Sequence, residues 1–238
     1  RGYILETTIP ESIILGLVAY YPFNGNANDE SSNSNDGLVN GASLSTDRHG
    51  VENSSYTFDG SDDYIDLSDP NILDLGASNY TYSLWFRANP TSAGTYILSK
   101  YQTYGANAFG IGLTGEGRLY SFFAGDNHSD AVSSDGTIVD DGQWHHVVMT
   151  LDLQNSKYDI YLDGVLDDTK YFTATSSGID NNSPLLVGKQ VNGQNFDGEI
   201  DDIRIYARSL SSNEVTDLYD SEAMPLAPVI PSLDSFYE

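Results

Sequence analysis

The run Phe196-Asp197-Gly198-Glu199-Ile200-Asp201-Asp202-Ile203-Arg204-Ile205-Tyr206 constrains this chain more than any other. It opens on an Asp-Gly turn signal and continues with apolar Ile203 and Ile205, the spacing of a strand with one buried side. Asp201 and Asp202 stand as neighbours at the mouth of that strand. Like charges brought together cost energy unless something compensates. Three compensations are open: water at a sheet edge, Arg204 on the same face as Asp202, or a hard divalent cation held by oxygen ligands.

The rest of the chain repeats the strand pattern. Residues 15–23 read as a first strand ended by Pro22. Tyr56 and Phe58 alternate, Asp59-Gly60 turns, and residues 64–67 read as the return strand of a hairpin. Residues 80–88 are a strong strand, with Tyr82, Leu84 and Phe86 on one face and Ser83, Trp85 and Arg87 on the other. Residues 96–101, 108–113 and 118–124 continue the series between Gly-containing turns. Residues 144–151 and 157–162 form a further hairpin, and Asp163-Gly164 turns tightly into Val165-Leu166. Residues 184–188 make a short apolar run. Only residues 211–220 read as helical, with Ser211 as N-cap and Glu214 at the capping-box position.

Many short strands at close turn spacing with one small helix predict an all-β, two-sheet antiparallel β-sandwich of jelly-roll type. No composition shift divides residues 16–222, so they read as a single domain. Residues 1–15, broken by Pro10, are expected to be a linker or edge segment. Residues 223–238, with Pro225, Pro228 and Pro231, are expected to form a tail or linker. The chain begins at Arg1 without Met, as a processed or excised piece of a longer protein would.

Charge narrows the partners. With 35 acidic against 10 basic residues the formal net charge is −25, a field that repels phosphate backbones and anionic lipid surfaces. Nucleic acid is not expected as a partner, nor is membrane insertion, because no apolar run is long enough to span a bilayer. The absence of cysteine excludes disulfides, thiolate metal sites and Cys nucleophiles. Abundant Asn, Ser, Gly and Asp with few Lys fit a secreted or cell-surface bacterial module.

A second oxygen-rich stretch lies at residues 24–37, where nearly every side chain offers an oxygen or permits a tight turn. It reads as a solvated loop or as a calcium loop, since calcium takes six to eight oxygens. It lacks the register and closing Glu of an EF-hand.

Four segments in order, residues 16–23, 56–65, 144–148 and 196–211, resemble the laminin-G-like branch of the concanavalin-A-like lectin/glucanase superfamily. The resemblance runs from about residue 16 to about residue 219. It implies two antiparallel sheets face to face and a structural calcium where the first loop meets the Asp-Asp strand. The residues it implies as calcium ligands are Asn24, Asn26, Asp29, Asp201 and Asp202.

That superfamily contains glycan binders, hydrolases and lyases. Glycoside hydrolysis usually needs two facing carboxyl groups, and neither the Glu-x-Asp-x-x-Glu nor the Glu-x-Asp-x-Glu pattern of the related endoglucanases is present. A lyase cluster assembles on paper from Arg87, Arg118, His146 and Tyr161, without the lyase motifs. His145 and His146 point to opposite faces of a strand and cannot chelate one ion together; they read as framework. No enzyme activity is therefore expected. A sugar site needs aromatic platforms with amide, carboxylate or hydroxyl groups beside them. Candidates are Trp85 and Arg87 on a sheet face, and Tyr101, Tyr104, Asn127, His128, Gln190, Asn192 and Gln194 in loops. The expected function is a calcium-stabilised carbohydrate-binding module, monomeric within a larger secreted enzyme or surface protein. The rival is an adhesion or spacer domain that contacts proteins.

Overall fold

The structure is a computed structural model. It describes residues 10–67, 78–90, 93–101, 108–124, 130–172, 183–190 and 194–224, with backbone alone at 124 and 130–135. Tyr104, Asn127, His128 and Asn192, four of the residues expected to meet a sugar, lie outside the described residues.

Two antiparallel sheets form the body. One contains β1 (Leu17–Tyr21), β3 (Ser43–Ser45), β4 (Ser55–Asp59), β6 (Tyr80–Ala88), β11 (Trp144–Asp152), β12 (Lys157–Leu162), β13 (Val165–Tyr171) and β15 (Asp197–Tyr206). Its order is β13-β12-β11-β6-β15-β4-β3, with β1 also paired to β15. The other contains β2 (Leu38–Asn40), β5 (Tyr64–Asp66), β7 (Thr95–Lys100), β8 (Ala108–Leu113), β9 (Arg118–Ala124), β10 (Asp130–Ile138) and β14 (Leu185–Val187), in the order β10-β9-β8-β7-β14-β5-β2. The inward faces meet in one aromatic and aliphatic core. Tyr82, Leu84 and Phe86 of β6 point into it, as their alternation predicts, and Tyr82 stacks on Phe109 from the opposite sheet at 4.3 Å.

Residues 56–67 do not form the expected hairpin. β4 pairs with β3 and β15, whereas β5 pairs with β2 and β14. The turn crosses between sheets because Asp59 and Asp63 accept backbone N–H groups within it and Gly60 takes a left-handed φ of 72°. The hairpin of β11 and β12 is present, and Asp163-Gly164 turns into β13 with φ of 49° and 76°, the paired positive values of a tight hairpin turn.

Two helices cover the outer face of the eight-stranded sheet. α1 (Glu11–Ile14) is a single turn inside the stretch read as a linker, and its Ile13 is buried. α2 (Ser212–Ala223) has the expected capping box between Ser211 and Glu214. Val215, Leu218 and Glu222 face inward from α2 at helical spacing. The apolar pair packs with Ile13, Val148, Tyr161 and Tyr206.

His145 and His146 are framework, with separate roles. His146 is fully buried against Trp85 and Tyr219, and burial followed by the charge of Arg204 pushes its pKa down to about 3. It is neutral, and its Nε2 lies 2.8 Å from Ser83 Oγ. His145 sits between Asp163 at 2.9 Å and Asp141 at 3.3 Å, and the hydrogen bond with Asp163 raises its pKa despite burial. A raised folded value makes the protonated form stabilising. That contribution is complete below the ordinary value of 6.5 and fades as pH rises through the folded value. The melting-temperature difference between wild type and His145→Gln should therefore be largest on the acid side of 6.5 and shrink on the alkaline side; a pH-independent difference would contradict the clamp.

Candidate functional site

The structure assembles two sites worth weighing, one on the outer side of each sheet. The first grows from a defect in β15. Opposite β6, Asp201 pairs with Trp85 but Arg204 with Ser83, so Asp202 and Ile203 together face a single residue. This is a β-bulge, and Asp202 adopts a left-handed φ of 46° within it. The bulge reverses the alternation: Ile200 and Ile203 both enter the core, and Asp201 and Asp202 both turn outward. On its other edge β15 pairs with β4 through residues 197–200 and with β1 through residues 203–206. The acidic pair sits where one neighbour ends and the other begins.

Arg48, from the turn after β3, reaches into that place. Its Nη1 lies 2.6 Å from Asp201 Oδ2 and its Nη2 2.7 Å from Asp202 Oδ2. Its Nε donates to the Glu222 carbonyl at 3.1 Å, near the end of α2, and its guanidinium lies 4.6 Å from the Trp85 ring centre. Arg204 pairs with Glu222 Oε1, lies 3.7 Å from Asp202 Oδ1 and covers the Tyr20 ring at 4.0 Å. Tyr20 donates its hydroxyl to Asp202 Oδ1 at 2.9 Å, and Trp85 Nε1 donates to Glu222 Oε2 at 2.6 Å. Burial and then the charge of Asp202 push the Asp201 pKa up. Burial also acts upward on Asp202, but Arg204 and Arg48 outweigh it and hold that carboxyl below its ordinary value.

The five residues expected to hold calcium do not converge on one point. Asn24, Asp201 and Asp202 line a cleft of about 240 Å³ together with Asp47 and Ser54. Asn26 Oδ1 accepts from the Asn28 amide within its own loop. Asp29 is buried and accepts from the amides of Tyr20, Ser31 and Asn35 and from the side chains of Ser31 and Asn35. It organises the loop against β1. As arranged, the set does not fit a cation that wants six to eight free oxygens: Asp29 is turned to its loop and the acidic pair holds a guanidinium.

The second site is on the outer face of the seven-stranded sheet. β8 reads Ala-Phe-Gly-Ile-Gly-Leu, so Phe109, Ile111 and Leu113 enter the core while Gly110 and Gly112 leave the opposite face bare. Across that face Tyr96, Gly112 and Tyr120 lie in one register row, and Phe122 lies beside Gly110. The Tyr96 and Tyr120 rings are 6.5 Å apart at 83°, and Tyr96 meets Phe122 at 6.0 Å and 89°. A Cβ on Gly110 would come within 2.5 Å of the Phe122 ring and 2.9 Å of Tyr96, so the rings lie down because glycine lets them. At one end a pocket of about 180 Å³ is lined by Thr95, Tyr96, Thr114, Tyr120 and Gln194, with no charged side chain among the described residues. Thr95 pairs with core-facing Leu113, so its buried hydroxyl lies on the inward side of β7 rather than on the aromatic face.

The other sugar candidates fall in several places. Trp85 is 4% exposed beneath α2, unavailable as the floor of a groove. Arg87 pairs with Glu199 at 2.8 Å and lies 5.3 Å from the Trp144 ring centre. Tyr101 packs edge-on against Phe122, inside the aromatic cluster. Gln190 is buried, whereas Gln194 is exposed at the pocket. The paper lyase cluster is dispersed, because Arg118 lies on β9 in the other sheet and pairs with Glu116. Arg48, Glu222, Thr95, Tyr96 and Tyr120 escaped the sequence reading. The alternating glycines of β8 were the available signal for Tyr96 and Tyr120.

A laminin G family model described as the concanavalin A-like lectin/glucanases superfamily matches residues 59–216, and the chain belongs to that family. An adhesion G-protein coupled receptor V1 of Danio rerio is 25% identical over 162 residues, 65% of this chain but 2% of the receptor. Among solved structures, the binding domain of Paraclostridial Mosquitocidal Protein 1 is similar at a TM-score of 0.74 and 20% identity, over 88% of this chain and 53% of that one. Domain 4 of an extracellular arabinanase from Geobacillus stearothermophilus, solved with arabinotriose, is similar at 0.67 and 21% identity, over 85% and 98%. The binding domain of botulinum neurotoxin DC, in complex with SialylT, is similar at 0.67 and 15% identity, over 88% and 52%. At these identities the likeness is one of fold. No helix among the described residues is long and apolar enough to cross a membrane.

Glu222 balances Arg204 inside the first site. Removing one partner of a buried pair leaves an uncompensated charge, which costs about 3–5 kcal/mol. Glu222→Ala is expected to lower unfolding stability by about that amount in urea denaturation. A loss no greater than that of a surface carboxylate variant would show that α2 does not depend on this pair.

Proposed function

We propose that this laminin-G-like domain is a non-catalytic carbohydrate-binding module that holds its ligand on the outer face of the seven-stranded sheet. The observation that carries the reading is the glycine-floored aromatic face with Thr114 and Gln194 at its end. A sugar ring has an apolar face and a polar rim. Half-buried tyrosine rings accept the first, while a hydroxyl and an amide in a small uncharged pocket accept the second.

The wider comparison supports the reading. Structures of like fold include one solved with arabinotriose and one with SialylT, and the first comes from an extracellular enzyme. That company supports a secreted or cell-surface location for this domain. The non-catalytic reading is supported by the pocket lining, which among the described residues contains no carboxylate pair to face a scissile bond.

An affinity-gel and glycan-array screen of the domain tests the proposal. Wild type should bind at least one glycan. Tyr96→Ala and Tyr120→Ala should each weaken that binding about tenfold, or about 1.4 kcal/mol, at unchanged melting temperature. Gln194→Ala, which removes the exposed amide at the pocket, should also weaken it. Full binding by folded tyrosine variants would sink this site. A wild type that binds no glycan would transfer the reading to protein adhesion.

A further inference from the structure

We infer that the aromatic face takes the end of a neutral glycan, one terminal ring in the pocket beside Tyr96 and Tyr120, and not the interior of a chain. The inference rests on the reading of that face as the sugar site, and it names the part of the glycan that the site recognises.

The argument starts from where room remains along β8. Its outward positions are Gly112 at the rim, then Gly110, then Ala108. At the rim Gly112 lies between Tyr96 and Tyr120, and both tyrosines are half-buried. One step inward the trough is full. Phe122 is 4% exposed, and its ring and that of Tyr96 lie so close over Gly110 that a Cβ there would meet them at 2.5 and 2.9 Å. Beyond it Tyr101 packs edge-on against Phe122 at 6.0 Å, and Tyr101 and Ala108 are buried with it. A sugar resting on Tyr96 and Tyr120 therefore has no path along the strands into the sheet.

The side toward β14 is closed as well. Gly110 pairs with Ser99 of β7, and Ser99 with Leu186 of β14, so these three continue one outward row. Ser99 and Leu186 are buried, and the Ser99 hydroxyl donates to the Lys189 carbonyl at 2.8 Å. The chain leaving β14 thus lies over that row, and the next residue, Gln190, is buried too. Gln194 stands beside Gly94 at the start of β7, its amide nitrogen 3.8 Å from where a Gly94 Cβ would be. The exit that remains among the described residues runs past the turn from β8 to β9, where Gly115 and Glu116 are exposed.

The interior of a polysaccharide needs two exits, one for each neighbouring unit, and this face offers one. Its pocket of about 180 Å³ also falls below the roughly 300–1,000 Å³ of sites that take larger organic ligands. With Thr114 and Gln194 to meet ring hydroxyls, it suits a single terminal sugar. That sugar is neutral, since the lining holds no cation among the described residues and a net charge of −25 repels an acidic one.

Calorimetric titration of the domain with oligosaccharides from monomer to hexamer tests this. The probes are the arabino-, xylo-, gluco-, manno- and galacto- series, with the matching series of any other glycan that the array retains. In the series that binds, affinity should stay within about twofold from dimer to hexamer, and one domain should load per chain whatever its length. The matching monosaccharide should compete. Cutting the parent polysaccharide with an endo-hydrolase should raise the amount of domain bound, because each cut creates chain ends. The inference is overturned, with the sugar site intact, if affinity climbs about tenfold with added units while Tyr96→Ala still weakens binding. Several domains loading on one long chain, or an acidic series preferred over every neutral one, would overturn it equally. A wild type that binds no glycan would overturn the reading of the face itself, and this inference with it.

Discussion

The contact between Arg48 and the Asp201–Asp202 pair is the interaction on which the eight-stranded side of this protein depends. β15 is central to its sheet and changes partner halfway, from β4 to β1. The bulge at the change places two carboxylates where the sheet has no regular neighbour, and burial makes them expensive unless a cation meets both. Arg48 does so from the turn after β3, far from β15 in sequence. Through Glu222 it also fixes the end of α2. Trp85, His146 and Tyr219 then stack in the space that the helix covers.

This arrangement divides the two outer surfaces. The outer face of the eight-stranded sheet is closed by α1 and α2 and filled with ion pairs, so its Trp and His residues serve the framework. The outer face of the seven-stranded sheet has no described helix over its aromatic strands. There, β8 contributes glycines, and rings from β7 and β9 lie across them. One face is closed by helices, and the other carries the aromatic surface proposed to bind sugar. The strong negative charge disfavours an anionic ligand, since the surrounding field repels one.

Much of the architecture was legible from residue order. The alternation in β6, the hairpin of β11 and β12, the Asp163-Gly164 turn and the capping box at Ser211 are local signals, and each appears where the sequence put it. The crossing between β4 and β5 was not legible, because an Asp-Gly turn looks alike whether the chain returns to its sheet or passes to the other. The bulge was hidden for a related reason: alternation assigns Asp201 to the core side, and only pairing with β6 reveals the extra residue. Arg48 could not be matched to Asp201 by local pattern, since 153 residues separate them. Trp85 was misplaced as a groove floor because the outer face of β6 is polar in sequence, and the helix that covers it lies more than a hundred residues later. The glycine alternation of β8 was readable and went unused, since glycine usually signals a turn rather than a bare sheet face.

The most direct test of which face recognises a ligand is amide chemical-shift mapping while a bound oligosaccharide from the glycan screen is titrated in. The account predicts the largest changes at Tyr96, Gly110, Gly112 and Tyr120, with Gln194 beside them and little change at Asp201, Asp202 or α2. Changes centred on the Arg48 cleft and the end of α2, with the glycines of β8 unmoved, would contradict it.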